Sequence, residues 1–153
     1  MSGLATREEV FLALFAKLNT ATLADGVTPA FVFSSRKLVL WGDCPMEKRP
    51  AMYLTERETN YRSGPTGLSI RTLTALVFIY TNAKQADDNN SGSKILNPLV
   101  DAVQEVMKPN TYDGRLDLGG LVHTAYIDGD LFFDPGDIDG DGMAIIPIKI
   151  LMP

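Results

Sequence analysis

Six consecutive apolar residues, Ala75-Leu76-Val77-Phe78-Ile79-Tyr80, constrain the fold of this chain more than any other feature. They follow a half-polar stretch that starts at Ser69 and contains Arg71, Thr72 and Thr74. A strand that loses its alternation in this way is expected to be covered on both faces. That places residues 69–81 in the middle of a sheet. The run is far too short to cross a bilayer.

The rest of the pattern supplies neighbours for that strand. Thr6 followed by Glu9 is a capping-box signature. Val10, Phe11, Leu14, Phe15 and Leu18 then recur at helical spacing, so a helix is expected over residues 6–20, ended by Asn19 and Asp25-Gly26. Phe31-Val32-Phe33 and Leu38 to Trp41 read as short strands either side of a polar turn, Ser34 to Lys37. Residues 42–50 read as a surface connection. Ala51 to Thr55 reads as a strand with Met52 and Leu54 on one face and Tyr53 on the other. The polar stretch Glu56 to Gly67, broken by Gly64-Pro65, is expected to be a long exposed loop or hairpin tip and a contact surface. Lys84 to Ser93 reads as a polar loop.

A second helix is expected over residues 93–107, where Ile95, Leu96, Leu99, Val100, Val103, Val106 and Met107 mark a broad apolar face. Pro98 falls in its first turns, where proline costs least. After it the pattern is β again. Gly119-Gly120 opens a strand over residues 121–127, and Asp128-Gly129-Asp130 reads as a tight hairpin turn into Leu131-Phe132-Phe133. Ala144, Ile146, Ile148, Ile150 and Met152 share one face of a closing strand. Pro147 cannot donate to a ladder and puts that strand at an edge, or gives it a bulge. Grouped strands with only two main helices predict an α+β fold. The expected form is a mixed, largely antiparallel β-sheet flanked by two main α-helices, in a single domain spanning residues 1–153.

Composition narrows the function classes. With 45% hydrophobic and 22% charged residues, the chain has the balance of a soluble globular protein able to build its own core. A net charge of −5 argues against tight nucleic-acid binding, which needs a basic surface. Arg57, Arg62 and Arg71 read as a solvated face, with a local basic patch as the alternative. The single cysteine, Cys44, cannot form an internal bridge, and no secretory signal is visible. The chain is therefore expected to be made and folded in a cytoplasm.

Catalytic constellations are not found. The only thiol is Cys44 and the only imidazole His123, and no spacing supports a dyad between them. Alternation puts His123 with Leu121, Ala125 and Ile127 on an apolar face, as a satisfied core or edge histidine. No Gly-x-Ser-x-Gly elbow, Walker loop or dinucleotide fingerprint occurs. The chain is expected not to be an enzyme and to carry no cofactor. Asp137-Ile138-Asp139-Gly140-Asp141-Gly142 matches the first half of a calcium-binding loop. The place of the closing glutamate, six residues after Gly142, is held by Ile148, and the flanks read as strands. No metal is expected; a solvated acidic turn or an acidic contact surface between subunits remains.

Several segments recur in a telling order. After the first helix come Ser35-Arg36-Lys37-Leu38-Val39-Leu40-Trp41 and Arg49-Pro50-Ala51-Met52-Tyr53-Leu54, then the strand ending Phe78-Ile79-Tyr80. The second helix opens Ile95-Leu96-Asn97-Pro98-Leu99-Val100-Asp101-Ala102-Val103. The close is Leu118-Gly119-Gly120-Leu121-Val122, Ile127-Asp128-Gly129-Asp130 and the Ile146-Pro147-Ile148 strand. Across nearly its whole length the chain resembles the tail terminator (tail completion) proteins of tailed bacteriophages.

The resemblance implies a β-sheet flanked by helices and a homohexameric ring. Such a ring sits on the last disc of the tail tube, stops its polymerisation and offers a surface to the head connector. Expected partners are further copies of the chain, the tail tube protein, head–tail connector or neck proteins, and the tail sheath. Genomic DNA only passes through the channel, no membrane is involved, and the protein's place is the tail or neck of the virion. Arg36, Trp41, Arg57, Arg62, Asp137, Asp139 and Asp141 are the candidate subunit or tube contacts. The acidic run at Asp137 to Asp141 is not part of the family pattern. Two readings compete: a head–tail connector or stopper from the neck, and a small ligand-binding or hydrolytic domain with a concave pocket.

Overall fold

The computed structural model describes residues 5–63, 69–82, 92–136 and 141–152, without the side chains of Trp41, Met46, Ser69, Asn82 and Asp141. Helix α1 (Arg7–Leu18) begins as its sequence requires. Thr6 Oγ1 accepts from the Glu9 amide at 3.1 Å, and the Glu9 carboxylate accepts from the Thr6 amide at 3.3 Å. This reciprocal closure is worth about 1 kcal/mol. Strands β1 (Phe33–Ser35), β2 (Ala51–Ser63) and β3 (Ser69–Asn82) follow, then helix α2 (Gly92–Val106) and strands β4 (Thr124–Ile127), β5 (Phe132–Asp134) and β6 (Asp141–Leu151).

The strands form one six-stranded sheet in the order β1-β2-β3-β6-β4, with β5 also alongside β6. Only β1 and β2 run parallel. The α+β class expected from the sequence is what the chain adopts. Both helices lie on one face. Val10, Phe11, Leu14 and Leu18 of α1 and Leu96, Leu99, Val100 and Val103 of α2 pack with Met52, Leu54, Leu73, Ala75, Val77, Ile79, Ala144, Ile146, Ile148 and Ile150. Period-two alternation in three adjacent strands thus meets period-3.6 alternation in two helices, and the core is where they coincide. Gly142 sits in this ladder opposite Thr81. A Cβ there would overlap Thr81 Oγ1 and press on the Pro135 carbonyl oxygen. Gly142→Ala is expected to destabilise the fold by about 1–3 kcal/mol through overpacking. The reading is a lower urea midpoint at unchanged slope; an unmoved midpoint would mean the neighbours yield freely.

Several sequence expectations need correction. Of the stretch expected as a loop or hairpin tip, Glu56 to Ser63 is strand: β2 continues to Ser63, paired with β3 as far as Ser63↔Ser69, and residues 64–67 lie outside the described residues. Its polarity reflects exposure on both faces, not missing backbone order. The segment Leu38 to Trp41 forms no strand and runs into a short 3-10 turn at Trp41–Asp43, while β1 begins at Phe33, later than the apolar run suggested. Asp128-Gly129-Asp130 does not turn a hairpin. β4 pairs with residues 148–151 of β6 and β5 with residues 143–145, so the two are successive pieces of one flank.

Pro147 explains that break. Strand β6 lies inside the sheet, between β3 and the β4–β5 flank, and not at its edge. On the β4–β5 side the Pro147 carbonyl accepts from the Asp128 amide at 3.2 Å, but no N–H is available to return the bond. The neighbouring strand is interrupted there at Gly129, whose φ is 111° and where an added Cβ would lie 3.4 Å from the proline ring, in ordinary contact. A side chain at that φ would be strained. The run Ala75 to Tyr80 is central as expected, yet its two faces differ. Ala75, Val77 and Ile79 are buried, whereas Leu76 and Phe78 are only half-buried. His123 is exposed and not on the apolar face, because β4 begins one residue later and its ring turns out to Arg115.

Candidate functional site

The β2–β3 hairpin outgrows the sheet that supports it. β1 accompanies β2 only as far as Tyr53, and β6 leaves β3 after Thr72, with one further bond from the Met152 amide to the Arg71 carbonyl. Beyond these points the hairpin is a two-stranded arm. A bulge at Arg57 resets its alternation, since Glu56 faces Ala75 while Glu58 faces Thr74. Past the bulge, Thr59 and Tyr61 lie on the helix side, and Asn60 and Arg62 on the outer side. Near the tip Tyr61 pairs with Arg71 and Arg62 with Ile70. Tyr61 is 62% and Ile70 50% exposed, a large apolar expenditure of surface for the end of a hairpin.

The arm is held at its root by arginines. Arg7 donates to Thr59 Oγ1 at 3.1 Å and to the Tyr61 hydroxyl at 3.3 Å. Arg36 forks onto both oxygens of Glu8, reaches Glu56 Oε1 at 3.3 Å, and lies 5.8 Å from the centroid of the Phe11 ring. The hydrogen bond from Arg36 holds the Glu8 carboxyl below its ordinary value of 4.5, against the opposing effect of burial. The same bond raises Arg36. A depressed folded value means the contact stabilises above the ordinary carboxylate range and is lost as pH falls through the folded value. Glu8 is exposed, so this clamp sets geometry more than stability. In a carboxyl NMR titration Glu8 is expected to titrate below 4.5 and to move back up toward it in Arg36→Ala. No movement would dissociate Glu8 from Arg36.

The face of the sheet away from the helices is the second feature. It carries Leu76 and Phe78 of β3 and Met143, Ile145, Pro147 and Leu151 of β6, all half-buried. Phe132, opposite Ile145, is 52% exposed. Only the end beside β1 is covered, where Val39 and Cys44 pack over Tyr53 and Tyr80. There the Tyr80 hydroxyl donates to the Val39 carbonyl at 2.6 Å, and the Tyr53 hydroxyl to Cys44 Sγ at 3.5 Å. Burial pushes both phenols above the usual tyrosine range, so they stay neutral and structural. The uncovered part is a groove of about 460 Å³. Leu76, Ile145 and Pro147 form its floor, Asp128, Asp130 and Phe132 one rim, and Arg57 and Glu58 the other. Lys149 is drawn down to Thr74 Oγ1 at 2.9 Å.

The structure gathers the sequence-selected residues unevenly. Arg57 and Arg62 lie on the arm, both exposed. Arg36 is turned inward to Glu8 and Glu56. The Trp41 backbone belongs to the short 3-10 turn, and Asp141 opens β6 opposite Asn82. Asp137 and Asp139 lie outside the described residues. Sequence reasoning missed Ile70, Asp128, Asp130 and Phe132 as surface groups, while Tyr61 falls in the stretch it marked as a contact surface. Asp128, Asp130 and Phe132 could have been found by asking what must face a proline in the strand beside them.

Cys44 is buried against Tyr53 at the β1 end of the sheet. His123 sits by the other end of β6, its amide on the Leu151 carbonyl and its ring 3.1 Å from Arg115. Ile148, in the position a calcium-loop glutamate would take, is fully buried in the core. Among the described residues no three His, Cys, Asp or Glu side chains converge as a metal site requires. A scan against protein-family models finds no match to this chain, and a search of the curated proteins finds none either.

Proposed function

We propose that this chain is a structural subunit of a phage virion: a tail terminator that assembles into a homohexameric ring, caps the tail tube and meets the neck. The observation that carries this reading is the apolar outer face of the sheet. A two-layer α+β domain ordinarily buries one sheet face under its helices and leaves a polar one to water. Here Leu76, Ile145 and Pro147 stand half-buried where polar residues are expected, with the exposed Phe132 beside them. A contiguous apolar patch of that kind marks contact with other protein. The resemblance along nearly the whole sequence says which protein: further copies of the chain, the tube and the connector.

Light scattering with electron microscopy of the purified protein tests the reading. Rings are the expected result. A monomer that turns over a small molecule would contradict it, and binding to portal or adaptor protein in place of tail tube would favour the neck connector.

A further inference from the structure

Aspartate followed by glycine is the pair at which a main chain most readily rearranges itself. The glycine nitrogen attacks the side-chain carboxyl carbon, a C–N bond forms and one water leaves, giving a five-membered succinimide ring. Water then reopens the ring. Opening at the side-chain carbonyl restores aspartate, and opening at the main-chain carbonyl leaves the chain running through the side chain as isoaspartate. One water is lost and one regained, so no other reactant is needed. Glycine favours the closure because no Cβ obstructs its nitrogen. The chain has five such pairs. Asp139-Gly140 and Asp141-Gly142 lie wholly or partly outside the described residues. Asp25-Gly26, Asp113-Gly114 and Asp128-Gly129 are described throughout, and all are exposed.

Exposure does not separate the three pairs, but hydrogen bonding does. The Asp25 carboxylate accepts from the Val27 and Thr28 amides, both at 2.9 Å, and from the Thr28 hydroxyl. The Gly26 amide donates to the Leu23 carbonyl at 2.9 Å. At the second pair the Asp113 carboxylate accepts from the Arg115 amide at 3.0 Å and lies 3.8 Å from its guanidinium. There the Gly114 amide donates to the Asn110 carbonyl at 2.9 Å. At the third pair neither the Asp128 carboxylate nor the Gly129 amide has a hydrogen-bond partner among the described residues. Pro147 is the cause, since the strand beside it breaks at this point and takes Gly129 off the ladder. We infer that Asp128-Gly129 is a site of spontaneous isomerisation, at which the folded chain converts aspartate to isoaspartate. The added main-chain methylene falls in residues 128–131, between the β4 and β5 ladders, so the modified chain keeps its fold. What changes is the rim of the outer-face groove, where Asp128 stands. The chemistry needs no second copy and does not depend on the ring reading.

Incubating the folded chain in neutral buffer made with heavy-oxygen water tests this, because each reopening of the ring leaves one heavy oxygen in the residue. Peptide mapping by mass spectrometry is expected to find label at Asp128 at least about tenfold above that at Asp25 and Asp113, whose hydrogen bonds must break before the ring can close. Isoaspartate should accompany the label at residue 128. Asp128→Glu, which would have to close a larger ring, should remove the label there and leave the other two sites unchanged. In urea the three sites are expected to label to similar extents, since only the fold distinguishes them. Equal label at the three sites in the folded chain, or label at Asp128 that appears only in urea, overturns the assignment. So does a lead of Asp128 that persists in urea, because the fold would then not be what selects it.

Discussion

Replacing Phe11 by alanine is expected to cost about 3–5 kcal/mol of stability, enough to leave a domain of this size barely folded. Phe11 is 1% exposed and packs in the main core against the sheet. It also lies under the Arg36 guanidinium and lines, with Arg7, Glu56 and Arg57, the cavity of about 320 Å³ at the root of the arm. The loss is therefore transfer energy plus a cavity that a rigid sheet cannot close. Chemical denaturation reads the stability, and hydrogen exchange reads the arm. Amides of residues 58–63 are expected to lose protection before those of β6. Equal loss in both would mean that the arm does not depend on this anchor.

Leu76→Lys/Ile145→Lys is the counterpart: little change in fold, large change in assembly. Both side chains stand on the outer face, half-buried and away from the helices, so the substituted monomer should lose no more than about 1 kcal/mol. In the proposed ring they belong to the apolar face that would meet a neighbour. Central apolar anchors of an interface contribute about 2 kcal/mol or more each, so ring formation should weaken by at least about a hundredfold. Sedimentation together with a melting curve separates the two effects. A variant that melts like wild type and still forms rings would remove the outer face from the interface.

Much of this architecture was legible in the residues because its signals are local or periodic. Thr6 and Glu9 announce a helix start that needs no tertiary partner. The stripes of α1 and α2 and the alternation of Ala144, Ile146, Ile148 and Ile150 name the core faces directly, and Ala75 to Tyr80 marks the central strand. Pairing was the illegible part. Glu56 to Ser63 is polar on both faces because no layer covers it, and only its ladder with β3 makes it a strand. Asp128-Gly129-Asp130 looks like a hairpin turn locally, but β6 outbids that preference by pairing with both flanking segments. Pro147 was read as putting its strand at an edge or bulging it, whereas β6 lies inside the sheet in unbroken register with β3 and the interruption falls on the strand next to it.

The same limit governs the candidate surface. Arg57 and Arg62 could be singled out as charged residues in a polar stretch, but not placed on a projecting arm. Leu76 looked like ordinary core, because a run apolar on both faces normally has a layer on each side. Arg36 shows the converse. It looked like a surface contact, yet Glu8, Glu56 and Phe11 occupy it within its own subunit.

Polymerisation of the cognate tail tube protein, followed by electron microscopy with and without this chain, examines the capping role itself. Growth is expected to stop in its presence, with a ring of extra density at one end of each tube. Tubes that lengthen equally in both samples, with no density added at either end, would contradict it.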